Sequence, residues 1–379
     1  MPNDFTEIVD KIFARGLMAL RENSVMPRLV NTDWGDEVAE RGDTIDVPIP
    51  STATVSDVDP GPTPPEGGDS SPTKVPIQLN RWRKSDMKVT DKEAREIAMG
   101  ARQLQLSEHL KALANDVDRY ILGLYTGIYG FAGEAGTTPF DSDLSAAADA
   151  RKVLGNQLAP TSPRRIVLNT DAEANALLIR AVQDASFRAN EENTLLTGFI
   201  GQLLGFDWFM DQNVLDHTAG SLDNATVNGA HAAGVETVSV SNDDAAAETL
   251  AEGDVITFAG DPQTYVVTAD VDFDADASAD VPISPALDVA LDGGEAVTVE
   301  ADHAVNLAFH RDAFALAVRP LGAADGFTGG NEIRTAVDPV SGLALTLEVS
   351  REHQRTKYQW SVLYGASLVR AELAARIAG

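Results

Sequence analysis

Gly253-Asp-Val-Ile-Thr-Phe-Ala-Gly260 and Thr264-Tyr-Val-Val-Thr268, with a turn at Asp261-Pro262 between them, are two short runs rich in β-branched and aromatic residues. Their spacing predicts a hairpin. Around it Val238 and Val240 alternate with serines, Ala296 to Val299 is a further short apolar run, and helical periodicity is absent beyond about residue 235. Short strands at this interval predict a small barrel or sandwich. The segment also has its own surface chemistry. No lysine or arginine occurs between Arg188 and Arg311, and Asp216 to Asp302 carries 19 acidic residues. Without those 19, the 58 acidic residues fall to 39 against 29 basic ones, and the net charge moves from −29 to −10. One acidic β domain, residues 214–304, is therefore expected inside a more nearly balanced host.

The chain has 379 residues, more than one hydrophobic core usually serves, and its 44% hydrophobic content suffices for two or three cooperating units. Acidity this strong argues against a sequence-reading nucleic-acid binder, which needs a Lys/Arg stripe to displace counterions from phosphate. The absence of cysteine excludes disulfides, thiolate-bound zinc and thiol catalysis, and suits a reducing cytosol. No charged-then-apolar leader follows Met1 and no run of about 18 apolar residues occurs, so a soluble, intracellularly made protein without a membrane span is expected. Most acids are Asp, and arginine outnumbers lysine. Hydrated carboxylates of this kind suit a salt-loving host, and a GC-rich host codes the same bias.

The host resumes in Val305 to Pro320, an apolar stretch that again contains arginine. Beyond it Leu343, Leu345, Leu347 and Val349, then Tyr358, Trp360, Val362 and Tyr364, alternate with other residues and predict two half-buried antiparallel strands. Upstream, Arg164 to Asn169 predicts a short buried strand and Asp171 to Ala185 a helix, which together indicate an α/β or α+β layer. Thr90-Asp-Lys-Glu93 is a capping box, and behind it Leu106, Leu110, Leu113, Val117, Ile121, Leu124 and Ile128 recur at three and four. That stripe predicts a rod helix to about Gly130, roughly 45 Å long at 1.5 Å per residue, with a possible break at Gly100. Gly42-Asp-Thr-Ile-Asp-Val-Pro-Ile-Pro50 predicts a strand, residues 51–73 a Pro/Gly-rich excursion, and Val75, Ile77 and Leu79 its return. Such a two-stranded flap has no core of its own and must lie on another element. At the N-terminus Phe5, Ile8, Ile12 and Leu20 form the apolar stripe of an amphipathic arm that needs a partner surface.

Enzyme signatures are missing: there is no Gly-Lys-Ser/Thr phosphate loop, no Gly-x-Ser-x-Gly elbow and no His-Glu-x-x-His. His303 and His310 lie near Asp302 and Asp312, and ordinary packed or surface histidines are expected there rather than a metal or acid/base set. Asp270-Val-Asp-Phe-Asp-Ala-Asp276 superficially matches a calcium loop, but Ala275 and Val281 stand where that loop needs glycine and a bidentate glutamate. A solvated face is the expectation, with a looser cation site as the alternative. The cluster Arg81, Trp82, Arg83, Lys84 and Lys88 is too short for a nucleic-acid surface and is expected to meet an acidic patch on a neighbouring copy.

The order of these parts resembles the major capsid proteins of tailed double-stranded DNA viruses, in the branch with a β-barrel inserted in the central axial domain. The resemblance rests on Gly42 to Pro50 leading into the extended loop, on Gly253 to Gly260, on Asn306-Leu-Ala-Phe-His-Arg-Asp-Ala-Phe-Ala-Leu-Ala-Val-Arg-Pro320, and on Trp360-Ser-Val-Leu-Tyr-Gly-Ala-Ser-Leu-Val-Arg-Ala-Glu-Leu373. It implies an α+β fold divided into an arm (1–34), a peripheral strand with extended loop (35–90), a spine helix (91–140), an axial domain in two parts (141–213 and 305–325) around the barrel (214–304), and C-terminal strands (326–379). It further implies a virion shell of pentamers and hexamers assembled in the host cytoplasm, in non-specific proximity to packaged DNA. A separate scaffolding protein and a portal protein are the implied partners, with no membrane, cofactor, metal or catalytic residue. A cellular nanocompartment shell protein and an acidic surface-layer or adhesin protein are the other structural readings; an enzyme on an unfamiliar fold lacks a convergent site.

Overall fold

The computed structural model describes residues 13–14, 16–18, 20, 24–33, 44–50, 72–92, 99–183, 198, 200–244, 246–321, 331–338 and 341–379, with side chains of the long helix described from 108 onward. Strands β1 (Thr44–Ile49), β2 (Thr73–Gln78) and β3 (Arg81–Thr90) precede helix α1 (Met99–Leu122). Next come β4 (Phe131–Gly133), α2 (Ser145–Asn156), β5 (Arg164–Leu168), α3 (Thr170–Leu178) and α4 (Arg180–Gln183). Short strands then dominate: β6 (Gln202–Leu203), β7 (Phe206–Met210), β8 (Asp216–His217), β9 (Ala225–Val227), β10 (Thr237–Asn242), β11 (Glu248–Leu250), β12 (Val255–Phe258), β13 (Thr264–Val267), β14 (Val271–Phe273), β15 (Ser278–Ser284) and β16 (Ala296–Val299). The chain ends with β17 (His303–His310), β18 (Phe314–Arg319), β19 (Glu332–Val337), β20 (Ala344–Glu352), β21 (Arg355–Leu368) and β22 (Ala374–Ala378).

Contacts divide the chain into two units. The first comprises residues 1–21, 31–113 and 314–369. Its five-stranded antiparallel sheet runs β18-β21-β20-β19, with β3 on the other edge of β21. Alternation along β21 puts Trp360, Val362 and Tyr364 inside, each 1% exposed, and Leu343, Leu345 and Leu347 beside or on β20 are fully buried. Ala344 and Thr346 are buried too, so β20 is covered on both faces over this stretch, beyond the half-burial expected. The predicted flap is β1 paired with β2, Ile45 opposite Ile77 and Val47 opposite Val75. Ile45, Val47, Ile77 and Leu79 cluster with Ala315 and Ala317 of β18, which supplies the surface a hairpin needs. A Cβ at Gly365 would meet the Gln78 carbonyl oxygen at 2.1 Å, so glycine permits the close approach of β2 and β21.

The second unit comprises residues 22–30, 114–313 and 370–379. Its mixed sheet runs β4-β22-β17-β5-β7-β6, with β8 also on β17. β17 and β22 are buried along almost their whole length and so show no alternation of buried and exposed positions. Helix α2 packs on β4 and β22 through Ala146, Ala147, Ala150 and Leu154. The inserted domain is a closed six-stranded antiparallel barrel, β10-β15-β13-β12-β16-β9. Val238, Val240, Ile256, Phe258, Tyr265, Val267, Val281 and Ile283 are among the residues that fill it.

Three expectations are corrected. The spine helix was expected to reach about Gly130 within a segment 91–140, but its α-helical turns stop at Leu122, a 3-10 turn spans Gly123–Gly127, and β4 starts at Phe131. Leu124 and Ile128 keep the apolar spacing, yet the chain tightens at Gly123, where an α-helix interior is least favoured. The segment 305–325 was expected to be axial throughout, but it divides at Ala313: β17 lies in the second unit's sheet and β18 in the first unit's. The β barrel itself runs from Ala225 to Val299, because Asp216 and His217 pair with Ala304 and His303 as part of the host sheet.

Candidate assembly surfaces and the root of the inserted barrel

The basic cluster lies on β3, whose ten residues Arg81 to Thr90 pair in antiparallel register with β21. Strand alternation separates the cluster into two sets. Trp82, Lys84, Asp86 and Lys88 share one face and are exposed, Trp82 at 67%. Arg81 and Arg83 share the opposite face with Ser85 and Val89. On that face Ser85 Oγ lies 2.7 Å from His109 Nδ1 of α1, and Trp360 stands opposite Ser85. On the exposed face Lys84 is 3.8 Å from Asp86, and Lys88 stands directly opposite Lys357. Like charges in register disfavour a strand pair. They are retained here on a long edge strand, where lysines also prevent unwanted strand addition.

Of the arm, Phe5, Ile8 and Ile12 lie outside the described residues, as does the excursion 51–71. Residues 13–14, 16–18 and 20 are helical. Phe13 stacks on Trp360 with ring centroids 6.1 Å apart, and Leu20 is fully buried. Leu20 was expected to await a neighbouring subunit. It has its partners within its own chain, so this part of the arm is already docked.

Where the barrel joins its host, a buried polar cluster replaces the usual linker. His217 Nε2 lies 2.8 Å from Asp254 Oδ1, and His217 Nδ1 lies 3.0 Å from the Tyr125 hydroxyl. Asp254, just before β12, also accepts the Ala251 and Gly220 amide N–H groups. Arg376 of β22 donates from Nη1 to the Gly253 carbonyl oxygen at 2.7 Å, and its guanidinium carbon sits 5.0 Å from the centre of the Tyr125 ring. That placement is a cation–π contact in a dry site. Burial pushes the Arg376 guanidinium down to about 10 and raises the Tyr125 phenol. Gly253 has φ +97°, and a Cβ there would come within 3.1 Å of Thr126, so glycine lets the barrel seat itself. Thr264 Oγ1, donating to the Tyr129 carbonyl oxygen at 2.6 Å, adds another tie.

The histidines singled out in the sequence separate. His303 and His310 lie seven positions apart on β17, an odd interval that turns them to opposite faces. His303 joins the root cluster, its ring 5.3 Å from that of His217, while His310 lies 3.7 Å from Asp312. Asp270, Asp272, Asp274, Asp276 and Asp280 are exposed along β14, the following turn and β15. Among the described residues the carboxylates close enough to share an ion are instead those of Asp223, Asp244 and Glu248. Sequence reasoning missed His217, Asp254, Tyr125 and Arg376, which only the fold brings together. One signal was available: Arg376 is the lone charge in Leu373-Ala-Ala-Arg-Ile-Ala378.

No model of a known protein family matches the sequence, and no curated protein matches it. Solved structures do. A chain from Mycobacterium phage Che8 matches with a TM-score of 0.52 at 15% identity, over 93% of this chain and 90% of that one. The fold is shared. The capsid structure of the cyanophage P-SCSP1u matches at 0.49 and 11% identity over 93% and 87% of the two chains, and the mature capsid of bacteriophage PhiM1 at 0.48 and 10% over 93% and 86%. The α+β architecture expected from the sequence, with its small closed barrel, thus shares its fold with a phage chain.

Proposed function

We propose that the chain is the major capsid protein of a tailed double-stranded DNA virus, building the pentamers and hexamers of an icosahedral shell around packaged DNA. The observation that carries this reading is a fold held in common with a phage chain over 93% of the present one. The role is structural. A separate scaffolding protein and a portal complete the assembly, and the packaged DNA is met without sequence readout.

Two surfaces suit contacts between copies. The face of β3 and β21 bearing Trp82, Lys84, Lys88 and Lys357 places an exposed indole among ammonium groups, a fit for an acidic surface on the next subunit. The arm's first residues, with Phe5, Ile8 and Ile12 at helical spacing, reach a neighbour from the docked turn at Leu20; each apolar side chain so buried contributes roughly 1.5–3 kcal/mol. The barrel faces outward. The 19 acidic residues of Asp216 to Asp302, most of them on the barrel, would be repelled by packaged phosphate, whereas solvent ions screen them within about 8–10 Å.

Charge reversal tests the basic face. Lys84→Glu with Lys88→Glu should cut the yield of closed particles severely while the subunit's melting temperature hardly moves, since exposed pairs contribute at most about 1 kcal/mol within a fold. Negative-stain images and thermal scans of the same samples check it. Normal particle yield from the double variant across a salt series would remove this face from the assembly contacts.

A further inference from the structure

We propose that His303 is the trigger of a pH-operated release of the barrel from its host sheet, with His217, Asp254 and Arg376 forming the latch it controls. His303 is 3% exposed, and its Nδ1 lies 2.7 Å from the Ala301 carbonyl oxygen. A carbonyl only accepts, so Nδ1 carries the hydrogen and Nε2 keeps a lone pair. That Nε2 is enclosed and has no hydrogen-bond partner among the described residues, as have Nε and Nη2 of fully buried Arg376. The closed latch gathers Asp254, His217 and the Arg376 guanidinium in one buried cluster. A second proton on His303 adds a buried cation whose Nε2 has no hydrogen-bond partner among the described residues and which Arg376 opposes.

The groups facing His303 come from every element around it. Arg376 of β22 and His217 of β8 oppose the added charge; Asp254 before β12 and the Ala301 carbonyl favour it. The Phe131 ring of β4, 5.4 Å away, closes the apolar side. A cavity of about 340 Å3, lined by Asp171, Asp216, His217, Asp302 and His303 and reaching Gly379, gives protons a route to the cluster. Burial first, with Arg376 and His217 adding to it, holds the His303 imidazolium below its ordinary range.

The sign follows from proton linkage. Below about pH 6.5 an opened root takes up a proton that the closed root refuses, so opening gains on closing by at most about tenfold per pH unit for one proton. The strands that carry the latch, β8 and the start of β17, are also the two chain crossings into the barrel, so their release loosens the whole inserted domain at its base while its own core stays filled. This device goes beyond the coat role and does not depend on it.

Hydrogen exchange on the full chain, read by mass spectrometry at about pH 7.5 and about pH 5.5 after correction for intrinsic rates, tests it. Peptides covering 214–222, 250–254 and 300–306 should exchange several-fold faster at the lower pH, while 255–267 stays protected. His303→Gln, neutral at both values, should remove the difference. Equal protection of the root in the wild type, or acid loosening that persists in His303→Gln, would overturn the proposal. Should that variant fail to fold, the His303 ring resonance of the wild type decides: a titration midpoint below about 6.5 that coincides with loosening supports the trigger, and a midpoint at or above it rules the trigger out.

Discussion

Asp118 is the residue at which the N-terminal segment is fastened to the spine helix. Fully buried on α1, it accepts the amide N–H groups of Val25 and Met26, each at 3.1 Å. Burial, reinforced by the Asp211 carboxylate, pushes its acid up to about 8, against the two amides and Arg28, which favour the anion. The folded chain therefore holds a proton here that the unfolded chain releases near pH 4. Stability from this site is full below about pH 4 and is lost as pH rises toward about 8. Asp118→Asn should flatten that slope, so its melting temperature should gain on the wild type between pH 5 and about pH 9. Parallel slopes for the two proteins would mean that Asp118 is ionised throughout. His303 acts with the opposite sign below about pH 6.5, within the same window, so the Asp118→Asn and His303→Gln variants are what separate the two sites.

At the scale of elements, β21 organises the first unit: β3 lies along one edge, β20 and β18 along the other, and Trp360 at its middle receives Phe13 from the arm. Trp360→Ala should cost about 3–5 kcal/mol and expose the residues around Phe13 to limited proteolysis. A small loss with the arm still protected would show that the stack is incidental. The alternation that predicts β21 is legible because the strand is amphipathic, and β1 and β2 are legible for the same reason. The barrel strands β10, β12, β13 and β16 could be read, but β9 and β15 could not, and closure depends on β9 meeting both β10 and β16. Helix α2 escaped notice because its buried face is mostly alanine, too small to stand out from its polar positions. In the run Ala374 to Ala378 every residue is buried, so β22 has no alternation to find. The root cluster was illegible for another reason. Tyr125, His217, Asp254 and Arg376 lie on separate segments of the chain, and no local spacing connects them.

Across the whole molecule charge is distributed by domain, with the acids of Asp216 to Asp302 concentrated on the barrel and its root and no lysine or arginine among them. Repulsion among those carboxylates is relieved only by counterions, so the barrel should be the part of the chain most stabilised by added salt. Exchange protection of 225–299 should rise from low to high salt by more than that of the five-stranded sheet; equal gains would mean that the acids are too well dispersed to interact. The central claim, that this chain builds a virion shell, is tested most directly by cryo-electron microscopy of the particles it forms. The account predicts closed icosahedral shells of uniform diameter, with the barrel on the outer surface and Trp82, Lys84 and Lys88 at a contact between subunits. Persistent 40.2 kDa monomers, open sheets without fivefold vertices, or barrels lining the interior would contradict it.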